Sequence, residues 1–148
     1  MEDYIVFTVG TNFYALNVEN VERIIQMPSM TAIPNAHPFV DGMMSYEKRI
    51  TKVVNFRKMT AMDAHEEDQT DEISGKSQKL LIYQTKESFF AIKVDKIDDM
   101  ARIEPSMIKS VDSANSVGEF LELSGVVEMG ERLVNVIKSV SMPVKEVA

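Results

Sequence analysis

YIVFTVGTNFYALNVENVERII, residues 4–25, aligns without a gap with LLIYQTKESFFAIKVDKIDDMA, residues 80–101. At most of their apolar positions the two segments both carry apolar residues. The matched pairs are Ile5–Leu81, Phe13–Phe89, Ala15–Ala91, Leu16–Ile92, Val18–Val94, Val21–Ile97 and Ile24–Met100. An ungapped match of this length indicates an internal repeat.

The match resumes further along the chain. GMMSYEKRITKVV, residues 42–54, aligns with GVVEMGERLVNVI, residues 125–137, and the two blocks share a glycine at their start and an arginine at their eighth position. Chance similarity between strand-rich segments is the alternative explanation. Because two separate blocks recur in the same order, we favour a duplication, in which the chain consists of two similar halves.

Each half contains short runs that are typical of β-strands. They are rich in β-branched and aromatic residues and are separated by Gly, Asn, Ser or charged turns. The runs are IVFTV, FYALNV, MMSY, ITKVVNF, KLLIYQT, SFFAIKV, GVVEM and RLVNVI. Many short strands at close spacing predict an all-β protein, either a sandwich or small barrels that pack together.

Short helices are expected at two places only. In Glu19–Ile25 the apolar residues fall on one helical face, and in Pro105–Ala114 the proline suits a first helical turn.

An acidic segment separates the halves. Residues 60–78 carry six acidic residues and little that can be buried, which predicts a solvated linker rather than an acidic docking strip. We therefore expect one domain over residues 1–148, with one subdomain at about 1–60, the linker at 60–78 and a second subdomain at about 79–148.

Composition and charge argue against several classes of partner and location. The net charge of −7 and the pI near 4.9 argue against binding to the phosphate backbone of a nucleic acid. The absence of cysteine fits a reducing cytoplasm, and the acidic start MEDYIVFTV is unlike a secretion signal. The sequence also has no apolar stretch long enough to insert into a membrane. We expect a cytoplasmic protein.

Catalytic residues are not apparent. His37 and His65 stand apart from any pattern of nucleophile and base, and two histidines do not suggest a metal site. Gly75-Lys76-Ser77 resembles the end of a phosphate-binding loop, but Thr70 stands where that loop needs glycine. We predict a protein that is not an enzyme and binds no cofactor.

One predicted turn has unusual residues. The connection between MMSY and ITKVVNF is Glu47-Lys48-Arg49, three charged residues where a tight hairpin favours Gly or Asn, because a positive φ costs a residue with a Cβ about 1 kcal/mol. The second repeat has Gly130 at the equivalent place. The turn is either a tolerated exposed irregularity or a loop rebuilt for a particular partner.

Taken together, these segments resemble CheW-like chemotaxis coupling proteins over nearly the whole chain. Members of that family open with a Phe-x-Leu-Gly-x-x-x-Tyr-Gly-Ile strand pair, continue through an Ile-Pro-Asn-x-Pro-x-Phe loop to Gly-x-Ile-Asn-Leu-Arg-Gly, and carry a Val-Asp pair later. The matching residues here are Phe7, Gly10, Tyr14, Ile33, Pro34, Asn35, Phe39, Gly42, Val94, Asp95 and Gly125.

The resemblance implies two SH3-like five-stranded β-barrels around a shared apolar interface. It also implies a non-catalytic adaptor that links the cytoplasmic tips of chemoreceptors to the regulatory domain of a CheA-type histidine kinase. By position in the family, the kinase-binding residues would be Val18, Val21, Ile24 and Gly42. The receptor-binding residues would be Glu47, Lys48, Leu80, Ile97 and Met100.

The chain departs from the family pattern after Gly42. Ser45, Tyr46, Glu47 and Lys48 replace Asn-Leu-Arg-Gly, so an acid stands where the family has an arginine that is associated with receptor contact. Reversing a charge changes the interaction with a neighbouring charge by several kcal/mol before solvent and salt reduce it. We therefore predict altered or absent receptor recognition.

Two alternatives remain open. The chain could be a divergent adaptor that binds a kinase or another partner but not the usual receptors, in a chemosensory pathway other than chemotaxis. It could also be a small-molecule sensor or enzyme, which would require a deep pocket lined by converging polar groups.

Overall fold

Ten β-strands make up most of residues 2–60, 78–110 and 120–143, which are the residues that the computed structural model describes. In chain order the strands are β1 (Glu2–Val9), β2 (Asn12–Asn17), β3 (Val21–Gln26), β4 (Val40–Tyr46), β5 (Arg49–Asn55), β6 (Lys79–Gln84), β7 (Phe89–Val94), β8 (Lys96–Ile103), β9 (Leu121–Met129) and β10 (Arg132–Val140). A short helix, α1 (Phe56–Thr60), follows β5. Short 3-10 helices cover Val18–Asn20 and Pro105–Met107.

The strands form two five-stranded sheets. Sheet A has the order β8-β1-β2-β10-β9, and sheet B has the order β3-β6-β7-β5-β4. Both sheets are antiparallel except for one parallel pair each, β2 with β10 and β5 with β7. The prediction of an all-β fold with two five-stranded units is confirmed.

The pairing registers confirm the internal repeat. The alignment maps β1 and β2 onto β6 and β7, β3 onto β8, and β4 and β5 onto β9 and β10, which converts the order of sheet A into that of sheet B. Single residue pairs correspond as well. Matching pairs are Tyr4–Ala101 with Leu80–Ile25, and Ala15–Val136 with Ala91–Val53.

The predicted subdomain boundaries are wrong. Sheet A takes β1 and β2 from the first repeat and β8, β9 and β10 from the second, and sheet B is built in the reciprocal way. The two repeats therefore exchange their first hairpins, because β1 and β2 pair with β8 and β10 rather than with β3 and β5. Among the described residues, neither the first repeat nor the second forms a sheet alone. Of the predicted linker, residues 61–77 lie outside the described part of the chain.

The predicted helices are also largely wrong. Of Glu19–Ile25, most of the residues belong to strand β3, which pairs with β6. Its β-branched residues Val21, Ile24 and Ile25 favour a strand when a neighbouring strand is available, and this tertiary pairing overrides the helical spacing. In the predicted helix Pro105–Ala114, a 3-10 turn covers Pro105–Met107, and residues 111–114 lie outside the described part.

Three apolar clusters fill the part of the chain that the structure describes. The largest lies between the sheets and contains Phe7, Tyr14, Phe56, Tyr83 and Phe90 among its buried members. A second cluster covers the other face of sheet A, and a third covers the other face of sheet B. Alternate residues of β6 belong to different clusters. Leu81 and Tyr83 face the central cluster, and Leu80 and Ile82 face the cluster of sheet B. The central strands are therefore buried on both faces, as their continuous apolar runs require.

Each sheet is closed by a backbone contact between a residue outside the strands and an edge strand. Thr31 pairs with Met43 of edge strand β4 through backbone hydrogen bonds of 2.9 and 2.8 Å. At the equivalent place in the other repeat, Lys109 pairs with Val126 of β9. A Cβ on Gly42 would lie 2.7 Å from the carbonyl oxygen of Thr31, so this close approach requires glycine.

Candidate protein-binding surfaces

Three of the four predicted kinase-binding residues lie along edge strand β3 and the 3-10 turn before it. Val18 is half-buried in that turn, where the side chain of Asn17 accepts a hydrogen bond from the backbone N–H of Glu19. Val21 begins β3 and packs against the central apolar cluster, whereas Ile24 is 37% exposed. Of the three, Ile24 offers the most apolar surface to a partner.

Gly42 has a structural role in this region. It lies in β4 and has no side chain with which to bind a partner, and its contact with Thr31 closes sheet B. Substitution at Gly42 would displace β4 before it altered any surface. Its predicted role in kinase binding stays a prediction.

The turn between β4 and β5 has the conformation expected from its sequence. Glu47 has φ 48° and Lys48 has φ 67°, so both central residues are left-handed although neither is glycine. In the equivalent turn of sheet A only Gly130 has a positive φ, of 67°. The two turns therefore differ, and the first repeat carries the strain of placing two charged side chains at its tip.

Glu47 has a partner within the molecule. Its carboxylate lies 3.6 Å from the guanidinium of Arg23 on β3, and both side chains are more than half exposed. Arg23 also lies 5.9 Å from the ring centroid of Tyr46. The acid that replaces the family arginine is thus matched by a basic residue across the barrel, a match that the sequence alone did not suggest. An exposed pair of this kind adds less than about 1 kcal/mol to stability.

Tyr46 lies beneath this ion pair. Its hydroxyl group is buried and makes no hydrogen bond within the described part of the chain. Burial raises the pKa of the Tyr46 phenol, and the nearby charge of Arg23 opposes that shift. The fold therefore favours the neutral phenol over the phenolate.

The predicted receptor-binding residues do not form one surface. Leu80 is completely buried in the cluster of sheet B, so its assignment as a contact residue is wrong, because β6 is a central strand covered on both faces. Ile97 is half-buried against the central cluster. Met100 is 56% exposed on edge strand β8 of sheet A, away from the Glu47–Lys48 turn of sheet B.

Two exposed apolar residues were missed by the sequence analysis. Ile50 is 69% exposed and Leu133 is 60% exposed, and the repeat alignment places one over the other. Ile24 and Met100, which the sequence analysis did name, are likewise exposed at equivalent positions of the repeat. The signal was present in the alignment, since apolar residues recur at positions that alternate with buried ones on hairpin strands.

Arginine–aromatic contacts also follow the repeat. The guanidinium of Arg49 lies 3.7 Å from the ring centroid of Phe89, and that of Arg132 lies 4.8 Å from the ring centroid of Phe13. Each arginine follows a hairpin turn and covers an aromatic ring of the adjacent strand. These contacts fix both hairpins to their sheets.

An open cavity lies beside the first hairpin. It has a volume of about 280 Å³ and is lined by residues 33–37, Val40, Lys52 and Pro143. His37 uses its Nδ1 to accept a hydrogen bond from the backbone N–H of Phe39, and its ring contacts Phe39 and Phe120. The cavity opens to solvent and is slightly smaller than the roughly 300 to 1000 Å³ of typical ligand pockets, so it does not match the deep site that the sensor or enzyme alternative requires.

Comparisons with known proteins agree on one family. Residues 3–142 match the model of the CheW-like domain. The chain is 23% identical over 128 residues to the chemotaxis protein CheW of Thermotoga maritima, covering 86% of this chain and 78% of that protein. It is 25% identical over 145 residues to CheW of Bacillus subtilis, covering 98% and 88%.

A solved structure shows the same fold. The scaffolding protein TtCheW from Thermoanaerobacter tengcongensis superposes with a TM-score of 0.77 at 17% identity, covering 93% of this chain and 84% of that one. Within residues 2–60, 78–110 and 120–143, the structure contains no helix long and apolar enough to span a bilayer.

Proposed function

The chain belongs to the family of CheW-like domains, and from that premise we propose that it is a non-catalytic adaptor that couples chemoreceptors to a CheA-type histidine kinase in bacterial chemotaxis. The observation that supports this most is the match of the family model to residues 3–142, which includes both sheets. The proposed adaptor works in the cytoplasm, where a kinase and the receptor tips meet.

Two exposed apolar residues are suited to the two contacts. Ile24 on β3 would contact the regulatory domain of the kinase, and Met100 on β8 would contact the receptor tip. The residues occupy equivalent positions of the repeat but belong to different sheets, so one chain presents two similar apolar edges. An adaptor needs two such surfaces if it is to hold two partners together.

The size of these surfaces suits reversible binding. Burying apolar area stabilises a complex by about 25 cal/mol per Å², and most of that gain offsets the cost of association. A patch built around a single exposed Ile or Met with its half-buried neighbours therefore supports affinities on the micromolar scale.

The test asks whether a substitution at each edge weakens binding to a different partner. Ile24→Glu places a charge at the centre of the kinase-facing edge, and we expect it to weaken binding of a CheA-type regulatory domain about tenfold or more while receptor binding persists. Met100→Glu should do the reverse. Both side chains are exposed, so both variants should fold, which circular dichroism would check.

The two variants serve as controls for each other. If both bind the kinase domain and the receptor tip as the unchanged protein does, the two edges are not the binding surfaces. If neither partner binds the unchanged protein at all, the proposed function is wrong.

The predicted effect of Glu47 on receptor recognition is tested separately from the Met100 edge, because the Glu47–Lys48 turn lies in the other sheet. Glu47→Arg alone would bring two like charges together, so the matched variant is Arg23→Glu combined with Glu47→Arg, which restores an ion pair of opposite sense. We expect the double variant to bind a typical receptor tip more tightly than the unchanged chain does. Equal binding by all three proteins would show that Glu47 does not govern recognition.

A further inference from the structure

The chain contains 11 methionines, and most of those that the structure describes are shielded from solvent. Met44 and Met59 are buried, and most of the other described methionines are half-buried. Within this described set only Met100 and Met107 are exposed, at 56% and 43%. A dissolved oxidant reacts with the sulfur atoms that it can reach, so Met100 is the most accessible thioether in the described part of the chain.

The repeat places Met100 at the position of an isoleucine. Ile24 on β3 and Met100 on β8 occupy equivalent edge positions, and each pairs with a buried residue of the neighbouring strand, Leu81 and Ile5 respectively. The two edges therefore present apolar side chains in the same backbone setting. The side chains differ in reactivity, because the thioether of Met100 can take up an oxygen atom and the hydrocarbon side chain of Ile24 cannot.

The surroundings of Met100 can accommodate a polar product. Arg102, two residues further along β8, forms an exposed ion pair with Asp3 on β1, with 3.1 Å between Nε and Oδ1. Asp99 is also exposed and accepts a hydrogen bond of 2.7 Å from the backbone N–H of Met100. Water reaches a side chain placed among exposed charges, so a sulfoxide at Met100 would stay hydrated in the free chain. A sulfoxide at buried Met44 would lose that hydration and disturb the core.

We propose that Met100 is a reversible oxidation site, through which peroxide weakens the receptor-facing edge and leaves the kinase-facing edge unchanged. The inference rests on the proposed function, in which Met100 contacts the receptor tip and Ile24 contacts the kinase. It adds a regulation to that function: one of two equivalent edges responds to an oxidant because only that edge carries sulfur.

The chemical step is a two-electron oxidation. The sulfur of Met100 attacks one oxygen of hydrogen peroxide, an S–O bond forms as the O–O bond breaks, and the second oxygen leaves as water. The thioether is thereby oxidised to a sulfoxide and the peroxide is reduced. A methionine sulfoxide reductase reverses the change: two thiols become a disulfide and the sulfoxide oxygen leaves as water.

Oxidation changes what the edge offers to a partner. Unoxidised Met100 is flexible and apolar, so it can be buried against an apolar surface of the receptor tip. The sulfoxide carries a polar S–O group that loses its water on burial, and we expect receptor binding to weaken about tenfold or more. Binding and oxidation compete for the same side chain, so a bound receptor tip should in turn shield the sulfur of Met100 from peroxide.

The first measurement is peptide mass spectrometry after treatment of the full chain with hydrogen peroxide. Met100 should oxidise faster than Met107 and faster than every half-buried methionine in the described ranges, while the circular dichroism spectrum stays unchanged. A saturating receptor tip should slow oxidation of Met100 and not that of Met107. Faster oxidation of Met107 or of a half-buried methionine would overturn the assignment of Met100 as the site.

Met100→Leu gives the decisive comparison, because leucine is apolar, similar in volume to methionine and resistant to peroxide. Without peroxide, this variant should bind the receptor tip as the unchanged chain does. Peroxide should weaken receptor binding by the unchanged chain about tenfold, leave that of Met100→Leu intact, and leave kinase binding by both proteins unaltered. A methionine sulfoxide reductase should restore the lost binding. Met107→Leu is the matched control, and it should respond to peroxide as the unchanged chain does.

The negative results have different meanings. If the untreated, unchanged chain does not bind the receptor tip, the proposed function fails and this inference fails with it. If the untreated chain binds the tip and complete oxidation of Met100 leaves that binding intact, the oxidation site alone is wrong. If peroxide weakens binding by Met100→Leu as well, the effect belongs to another methionine that this variant retains, and the proposal is overturned.

Discussion

Arg57 and Asp95 form an ion pair at the junction of the two sheets: Nη2 of Arg57 lies 2.8 Å from Oδ2 of Asp95. The same carboxylate oxygen accepts a hydrogen bond of 2.8 Å from the backbone N–H of Gly10. Arg57 belongs to α1, which follows a strand of sheet B, whereas Gly10 lies in the β1–β2 turn of sheet A. Both side chains are largely buried, at 14% and 12% exposed.

Removing the acid from this pair should be costly. We expect Asp95→Ala to lower the free energy of unfolding by about 3 kcal/mol, because it removes a largely buried carboxylate that pairs with Arg57 and accepts a hydrogen bond from the backbone N–H of Gly10. Urea denaturation measures this. The exposed pair of Asp3 with Arg102 supplies the control, since Asp3→Ala should cost less than about 1 kcal/mol. Equal costs for the two variants would mean that the Arg57–Asp95 pair does not hold the sheets together.

Closure of sheet B depends on Gly42. In Gly42→Ala the new Cβ would lie 2.7 Å from a backbone oxygen that has no freedom to rotate away, so we expect a loss of about 2 to 3 kcal/mol of stability. Gly130→Ala is the matched control, because it has a positive φ but nothing within 4 Å, and it should cost about 1 kcal/mol. Thermal denaturation of both variants would rank them, and the opposite order would contradict this account of closure.

The left-handed turn at Glu47–Lys48 offers a stabilising change. Lys48→Gly should raise the free energy of unfolding by about 1 kcal/mol, because φ 67° carries a penalty for any residue with a Cβ. Lys52→Gly, four residues further on in strand β5, should lower it by a similar amount. A destabilised Lys48→Gly protein would show that this turn is not strained.

The buried tyrosines predict sensitivity to high pH. Burial raises the pKa of Tyr14 and of Tyr83 above the ordinary value of 10.0, and the backbone hydrogen bond from Val140 partly opposes the shift for Tyr83. Above pH 10 the unfolded chain loses these protons while the folded chain keeps them. The free energy of unfolding should therefore stay level up to about pH 10 and fall beyond it, by about 1.4 kcal/mol per pH unit for each retained proton.

Tyr14→Phe removes one of these ionisable groups, so it tests the contribution of Tyr14 alone. Denaturation curves between pH 8 and about pH 11 should show a shallower fall for the variant than for the unchanged chain. Identical slopes would mean that Tyr14 ionises equally in both states.

The strands were predictable because their signal is local. Runs such as FYALNV and KLLIYQT carry enough β-branched and aromatic residues to identify a strand without knowledge of its partner. The repeat was predictable for the same reason, since it is a property of the sequence alone. A positive φ was expected within the connection Glu47-Lys48-Arg49, and the structure has it at Glu47 and Lys48.

The exchange of hairpins was not predictable, because it depends on pairing between distant strands. Nothing in β1 indicates that it pairs with β8, and strand β3 was taken for a helix because its neighbour β6 lies more than fifty residues away. Leu80 was misjudged for a related reason. A single apolar residue looks the same in sequence whether it contacts a partner or fills a core, and only the position of β6 within the sheet distinguishes the two.

The adaptor proposal is tested most directly by isothermal titration calorimetry of this chain with the regulatory domain of a CheA-type kinase from the same organism. The account predicts a 1:1 complex with a dissociation constant on the order of micromolar, weakened about tenfold by Ile24→Glu and unchanged by Met100→Glu. Absence of binding by the folded, unchanged chain, or equal loss of binding in both variants, would contradict it.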